Sequence, residues 1–320
     1  MILQYNQPRV GMMRPNVRPA SRAAGMEQVN PVSSSAAKRL LSCALGFSAV
    51  MALLVACGAP RATPSRVPPT QAALSIPRAT TVPTSTPAPA VPDPTRVLFV
   101  GNSLTFVNDL PKVFAELAWT AGHSVEVEMS AQGGQTLANH ATSPSTLEKI
   151  TDQSWNFVVL QEQSKIPAIA ALRSEQMVPA VRLLDGKITE NGAGTVLFLT
   201  WAGRDGLPGA GYEDYAAMQA GIEAGYLEVA GEIGALVAPA GVAWQRALEG
   251  DPRLELWQRD GIHPSPEGTY LAACVFYATL LGQSPEGASY LAGLPEETAR
   301  FLQSVAAETV LGDPERWNMP

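Results

Sequence analysis

From Thr95 to Pro320 the sequence predicts an α/β domain, a three-layer α/β/α arrangement around an open parallel sheet. Short apolar runs alternate with longer stretches of helical pattern, the signature of successive βαβ units. Several of those runs, "VLFV" and "FVVL" among them, are apolar at every position, as expected of strands covered by helices on both faces. A segment of roughly 225 residues is also long enough for one good core.

The first strand is expected at Arg96 to Val100, and it ends abruptly in Gly101, Asn102 and Ser103. Leu110 and Pro111 open a helix that runs to Ala121, followed by a strand from Ser124 to Met129 and the loop "AQGGQT". A helix from Ser145 to Thr151 leads to a strand at Phe157 to Leu160, closed by "QEQS". The next pair is a helix from Ser174 to Asn191 and a strand from Thr195 to Thr200, closed by Trp201 and Ala202. A helix from Tyr212 to Ile233 precedes a short strand at Leu236 to Ala238, and helices at Ser265 to Leu281 and Pro295 to Val310 complete the domain. Cys274 sits inside the apolar run "YLAACVFYATLLG" and is expected as a buried structural thiol.

Upstream, the composition changes twice. Residues 1–39 hold six basic side chains (Arg9, Arg14, Arg18, Arg22, Lys38, Arg39) against one acid, Glu27, and lead into 17 apolar residues, Leu40 to Ala56. A basic flank, an apolar core and small residues before a cysteine are the parts of a secretory signal. The stretch Leu54-Val55-Ala56-Cys57 resembles the bacterial lipobox, which implies that Cys57 carries a lipid anchor and becomes the new N-terminus. The rival reading is an uncleaved anchor, because 17 apolar residues lie at the lower limit for a bilayer span. Both readings place the remaining chain outside the cytoplasmic membrane, in the cell envelope.

Residues 57–94 contain ten prolines among Ala, Thr and Ser and read as a disordered tether. At about 3.1 Å per residue it extends up to roughly 100 Å. The expected organisation is therefore a leader at 1–56, a linker at 57–94 and one domain at 95–320. Loss of the leader takes the formal net charge from −7 to −12, since six positive charges and one negative charge leave with it. Such an acidic balance argues against nucleic acid as a partner. Cys43 leaves with the leader and Cys57 carries lipid, so Cys274 alone cannot form an internal disulfide or a cysteine metal site.

In open parallel sheets ligands bind beyond the carboxyl ends of the strands. Ser103 stands there after the first strand, and the glycines of "AQGGQT" let backbone approach a ligand closely after the second. Gln161, Glu162 and Gln163 follow the third, and the indole of Trp201, after the fourth, is a candidate pocket wall, with a core role as its plainer reading. A serine hydroxyl is a poor nucleophile until a base takes its proton, and a histidine serves best when a carboxylate holds its tautomer. Of His123, His140 and His263, only His263 has an acid at short spacing, Asp260 in "RDGIHPSPEG". His123 follows Gly122 at an expected helix end and reads as structural, and His140 reads as a solvated loop residue near the glycine pair. Taken singly, Ser103 reads as a turn or helix cap and Asp260 as the start of an Asp-Gly turn; it is their combination that points to catalysis.

Together these pieces resemble the SGNH hydrolases, the GDSL-like esterases and lipases, in the family's order and over essentially the whole domain. "FVGNSLT" resembles the first block and implies Ser103 as nucleophile, with Asn102 where Asp is usual and in reach of substrate. "SAQGGQT" resembles the second block, whose glycine amide, at Gly133 or Gly134, joins that of Ser103 in the oxyanion hole. "DGIHPSPEGTYLAA" resembles the fifth block and implies Asp260 as acid and His263 as base. The third block departs: "QEQS" stands where Gly-x-Asn-Asp is usual, so Gln163, counted from the strand end, or Gln161 replaces the asparagine donor. The resemblance implies the flavodoxin-like version of the fold and an ester hydrolase without metal or cofactor. Its expected substrate is an acyl-ester small molecule or an acylated polysaccharide. No long hydrophobic lid segment stands in the sequence, which counts against a bulk-lipid lipase. The alternatives are a glycan- or acyl-binding module on the same fold and a structural envelope protein.

Overall fold

The computed structural model describes residues 93–320. The expected leader, the expected anchor Cys57 and all but the last two residues of the expected linker lie outside the described residues.

Five strands, β1 (Thr95–Gly101), β2 (Val125–Ala131), β3 (Phe157–Leu160), β4 (Gly194–Phe198) and β5 (Leu236–Ala238), form one sheet in the order β2-β1-β3-β4-β5. Every pairing is parallel, so every connection crosses over a sheet face. This is the flavodoxin-like order, and the direction of travel reverses between β1 and β3. Alternate residues of β1 serve different cores: Val97 and Phe99 pack on one face, Leu98 and Val100 on the other, all fully buried.

The helices are α1 (Ser103–Phe106), α2 (Leu110–Thr120), α3 (Leu137–Ala141), α4 (Pro144–Thr151), α5 (Ala170–Leu172), α6 (Val178–Glu190), α7 (Tyr215–Ile233), α8 (Ala240–Gly250), α9 (Pro266–Leu281) and α10 (Glu296–Leu311). Helices α2, α8, α9 and α10 supply the core with Val97 and Phe99, and α3, α4, α6 and α7 the core with Leu98 and Val100. Helix α9 is buried without interruption from Gly268 to Leu280, as an apolar helix without a polar face must be. Its Phe276 meets Phe99 of β1 and Phe198 of β4 edge to face, at centroid distances of 5.1 and 4.9 Å. Each such pair stabilises by about 0.5–1.5 kcal/mol beyond the area it buries.

The short helices α1, α3 and α5 were not expected, and three further departures have a clear physical reason. The helix expected from Ser174 is split into a π turn, Arg173–Met177, and α6, because Pro179 has no amide to continue an α-helical ladder. Helix α8 was not expected at all. Glycine lowers the helix propensity of its first turn, yet a Cβ at Gly241 would lie 2.1 Å from the Thr200 carbonyl oxygen, so the close approach of α8 to β4 requires it. Strand β2 runs two residues beyond the expected Met129, since Ser130 and Ala131 pair with Val100 and Gly101.

Candidate active site

With all strands parallel, their carboxyl ends share one edge, and a crevice opens where the chain direction reverses between β1 and β3. Ser103 enters it as the first residue of α1, immediately after Asn102 caps that helix. The cap is braced from both neighbouring strands. Asn102 Oδ1 accepts the Leu104 amide at 3.1 Å, its Nδ2 donates to the Gln135 carbonyl at 2.8 Å, and its own amide donates to Gln161 Oε1 at 2.8 Å. Asn102 is 3% exposed, so the expected substrate contact is corrected to a structural one: its polar groups are committed to the turn that presents Ser103. Gln161 is consumed likewise. Its Oε1 also accepts from Thr105 Oγ1 at 3.0 Å, and its Nε2 donates to the Glu162 carbonyl at 2.6 Å. A Cβ at Gly101 would stand 2.5 Å from that Oε1, so the tight turn admits only glycine.

Asp260 and His263 arrive on a loop closed by the Trp257–Pro264 bridge and by the Gln258 amide, which donates to the His263 carbonyl at 2.7 Å. Gly261, at φ +70°, supplies the left-handed residue of the Asp-Gly turn. The segment after β4 braces this loop. Trp201 Nε1 donates to the Ile262 carbonyl at 3.0 Å and the Arg204 amide to the Gly261 carbonyl at 2.8 Å. Trp201 is 1% exposed and stacks on Trp244 at 3.9 Å. The expectation that its indole walls a pocket is therefore corrected: it holds the loop from below. From the other side Asn108 Nδ2 donates to the Pro264 carbonyl and to Thr269 Oγ1, both at 2.9 Å. Sequence reasoning missed Asn108, whose partners lie more than 150 residues away.

These supports bring together residues 160 apart. His263 Nε2 lies 2.9 Å from Ser103 Oγ, and His263 Nδ1 lies 2.6 Å from Asp260 Oδ2. A carboxylate only accepts, so the proton sits on Nδ1 and Nε2 is left to accept from the serine hydroxyl. Asp260 Oδ1 takes the amides of Ile262 and His263 at 2.9 and 3.0 Å. Desolvation works against the carboxylate, but the His263 ring and these two amides outweigh it and hold the acid down at about 2.

On the segments that follow β1, β2 and β3, four N–H donors have no hydrogen-bond partner among the described residues: the amides of Ser103, Gly133 and Gly134 and the side-chain Nε2 of Gln163. The Ser103 amide is unpaired because it belongs to the first turn of a helix. The turn bearing Gly133 and Gly134 is tied to the serine's own turn by the bond from Asn102 to Gln135. Gln163 Oε1 accepts the Lys165 amide at 3.0 Å, which leaves the NH₂ end of that side chain free. Of the two glutamines held open by the sequence, Gln161 has its Oε1 and one N–H of its Nε2 engaged within the turn, whereas the NH₂ of Gln163 is wholly unpaired.

His140 also departs from expectation, being 1% exposed. Its Nε2 donates to the Gly101 carbonyl at 2.8 Å, and its Nδ1 accepts from Thr146 Oγ1 at 3.0 Å. Burial, opposed in part by the Gly101 bond, lowers its pKa and keeps it neutral. Beside it Glu162 Oε1 accepts the amides of Leu137 and Gln163 at 3.1 and 2.7 Å. His140 and Glu162 therefore pin the two ends of α3 across the crevice.

No family model and no curated protein matches the chain. Among solved structures, a DUF4886 family protein from Bacteroides uniformis is 20% identical over 68% of this chain and 95% of its own, with a TM-score of 0.57. At that identity it supports the fold alone. An SGNH-hydrolase-family protein from Slackia heliotrinireducens is 33% identical, covers 59% of this chain and 100% of its own length, and superposes with a TM-score of 0.51. The parallel sheet with Ser103 at its switch point and that full-length relative lead to one conclusion: the chain belongs to the SGNH hydrolases, the family of GDSL-like esterases and lipases.

Proposed function

We propose that the protein is an extracytoplasmic, lipid-anchored serine esterase that removes short acyl groups, with an acylated polysaccharide as its substrate class. One observation carries the reading: the unbroken hydrogen-bond relay from Ser103 Oγ through His263 to Asp260, at the carboxyl end of a parallel sheet. Ser103 Oγ attacks the acyl carbonyl as its proton passes to His263 Nε2, and the ionised Asp260 stabilises the imidazolium. The Ser103 amide, a glycine amide from Gly133 or Gly134 and Gln163 Nε2 stabilise the oxyanion. Collapse of the tetrahedral intermediate returns the proton to the leaving alcohol and leaves an acyl ester on Ser103. Water, deprotonated by His263, then releases the acid. Envelope placement, read from the leader, favours polysaccharide, and the absence of a long apolar lid segment favours short acyl groups.

Turnover of p-nitrophenyl acetate by the full chain tests this. Ser103→Ala and His263→Ala are each expected to lower kcat by about 10³-fold or more. Equal rates in all three proteins would overturn the reading.

A further inference from the structure

A groove of about 590 Å³ lies beside the loop that carries Asp260 and His263, with two arginines, Arg204 and Arg259, one carboxylate, Glu255, and Trp257 and Pro266 in its walls. Arg259 immediately precedes Asp260, and Pro266 follows His263 by three residues. None of these side chains has a part in the acyl transfer described above.

The charges of the groove run against those of the molecule. Residues 95–320 carry 27 acidic and 13 basic side chains, so arginines have carboxylates to spare. Seven of the nine described arginines are indeed ion-paired. Arg246 and Arg259 are the two without a carboxylate partner among the described residues, and Arg259 faces this groove. Arg204 is held in the opposite condition. Its guanidinium lies 5.4 Å over the Trp257 ring and bonds Glu255 at 2.9 Å, while its amide is fixed to the loop at Gly261. The Trp257 indole is fixed in turn, donating to the Ala202 carbonyl at 3.1 Å. A rigid aromatic and arginine wall therefore faces a guanidinium whose five donors are free, a fork that matches a carboxylate.

We infer that this groove is a subsite for a carboxylate borne by the polysaccharide whose acyl group enters at Ser103, so that the substrate is an acidic glycan. The inference rests on the esterase reading and sharpens its substrate class. On an acidic surface a polyanion is repelled, and the unpaired Arg259, next to Asp260 in the chain, offers it a point of attachment on the loop that carries His263.

The test compares kcat/KM of the full chain and Arg259→Ala on O-acetylated polygalacturonate and on an O-acetylated neutral xylan, with p-nitrophenyl acetate as the control ester. The wild-type preference for the carboxylated polymer is expected to fall about tenfold in Arg259→Ala and to be only partly restored in Arg259→Lys, which keeps the charge without the fork. It should also weaken as salt rises. An unchanged preference in Arg259→Ala, with the control ester still hydrolysed, overturns the groove assignment alone. Absence of turnover of the control ester by the wild-type chain overturns the esterase reading and the groove with it.

Discussion

Asn108 holds a left-handed conformation, φ 57°, between α1 and α2, and its side chain reaches the peptide that follows His263. Asparagine tolerates that conformation better than most residues. Replacing it by alanine removes both donors and frees the histidine loop from the serine's segment. Because misplacement by about 1 Å can cost on the order of 10² in rate, Asn108→Ala is expected to lower kcat by about 10- to 100-fold with little change in KM. The same substitution made in His263→Ala should add almost nothing, since the geometry it protects is already lost. A full additional loss there, or an unchanged kcat in the single variant, would refute the positioning role. The two glutamines make a second contrast. Gln163→Leu is expected to cost about 10²–10³ in kcat with little change in Tm. Gln161→Leu strands the buried Asn102 amide and Thr105 hydroxyl and should lower stability by roughly 1–3 kcal/mol for each. Counting from the strand end puts Gln163 first in the sequence, but both are amides at a strand end, and it is their distant partners that set their hydrogen bonding apart.

At the scale of elements, α3 is the revealing case. Five residues are too few to hold a helix in isolation, yet this one follows directly on the turn that bears Gly133 and Gly134. A capping box between Thr136 and Asn139 starts it, Glu162 takes its first amide, and His140 bonds Gly101 at its last turn. Two buried titratable groups thus share one small element with opposite pH behaviour. Burial raises Glu162 to about 7, against the opposing effect of the Gln163 and Leu137 amides. Its stabilising contribution is complete below the ordinary value of 4.5 and is lost as pH rises through 7. His140, lowered from 6.5, contributes fully above 6.5 and loses that contribution as pH falls through its lowered value. Glu162→Gln keeps an acceptor for the two amides without the titration. Its Tm should therefore fall less than that of the wild type between pH 5 and pH 8, as followed by thermal melts near pH 5, 6.5 and 8. Identical pH profiles would show that Glu162 does not titrate in this range. The sequence gives no hint of α3, because its stability comes from partners after β1 and β3 rather than from its own propensity.

At the scale of the whole molecule, the lipobox-like stretch makes a prediction independent of catalysis. Cys57→Ala should shift the protein from the membrane fraction to the soluble fraction while leaving p-nitrophenyl acetate turnover intact. Retention in the membrane would favour the uncleaved anchor. The fold class was legible from the chain alone, because strands buried on both faces write themselves as uninterrupted apolar runs such as Val97–Val100 and Val158–Leu160. Ser103, Asp260 and His263 could be singled out for a similar reason: their residue types and the short Asp-Gly-Ile-His spacing are local. What the tertiary structure alone decided is which polar groups remain free. Asn102, Gln161, Trp201 and His140 looked available in the sequence, but each meets a partner from a remote segment. Where buried polar groups must be satisfied, those distant partners leave the Gln163 side-chain NH₂, the Gly133 and Gly134 amides and the Ser103 amide as the unpaired donors on the segments after β1, β2 and β3.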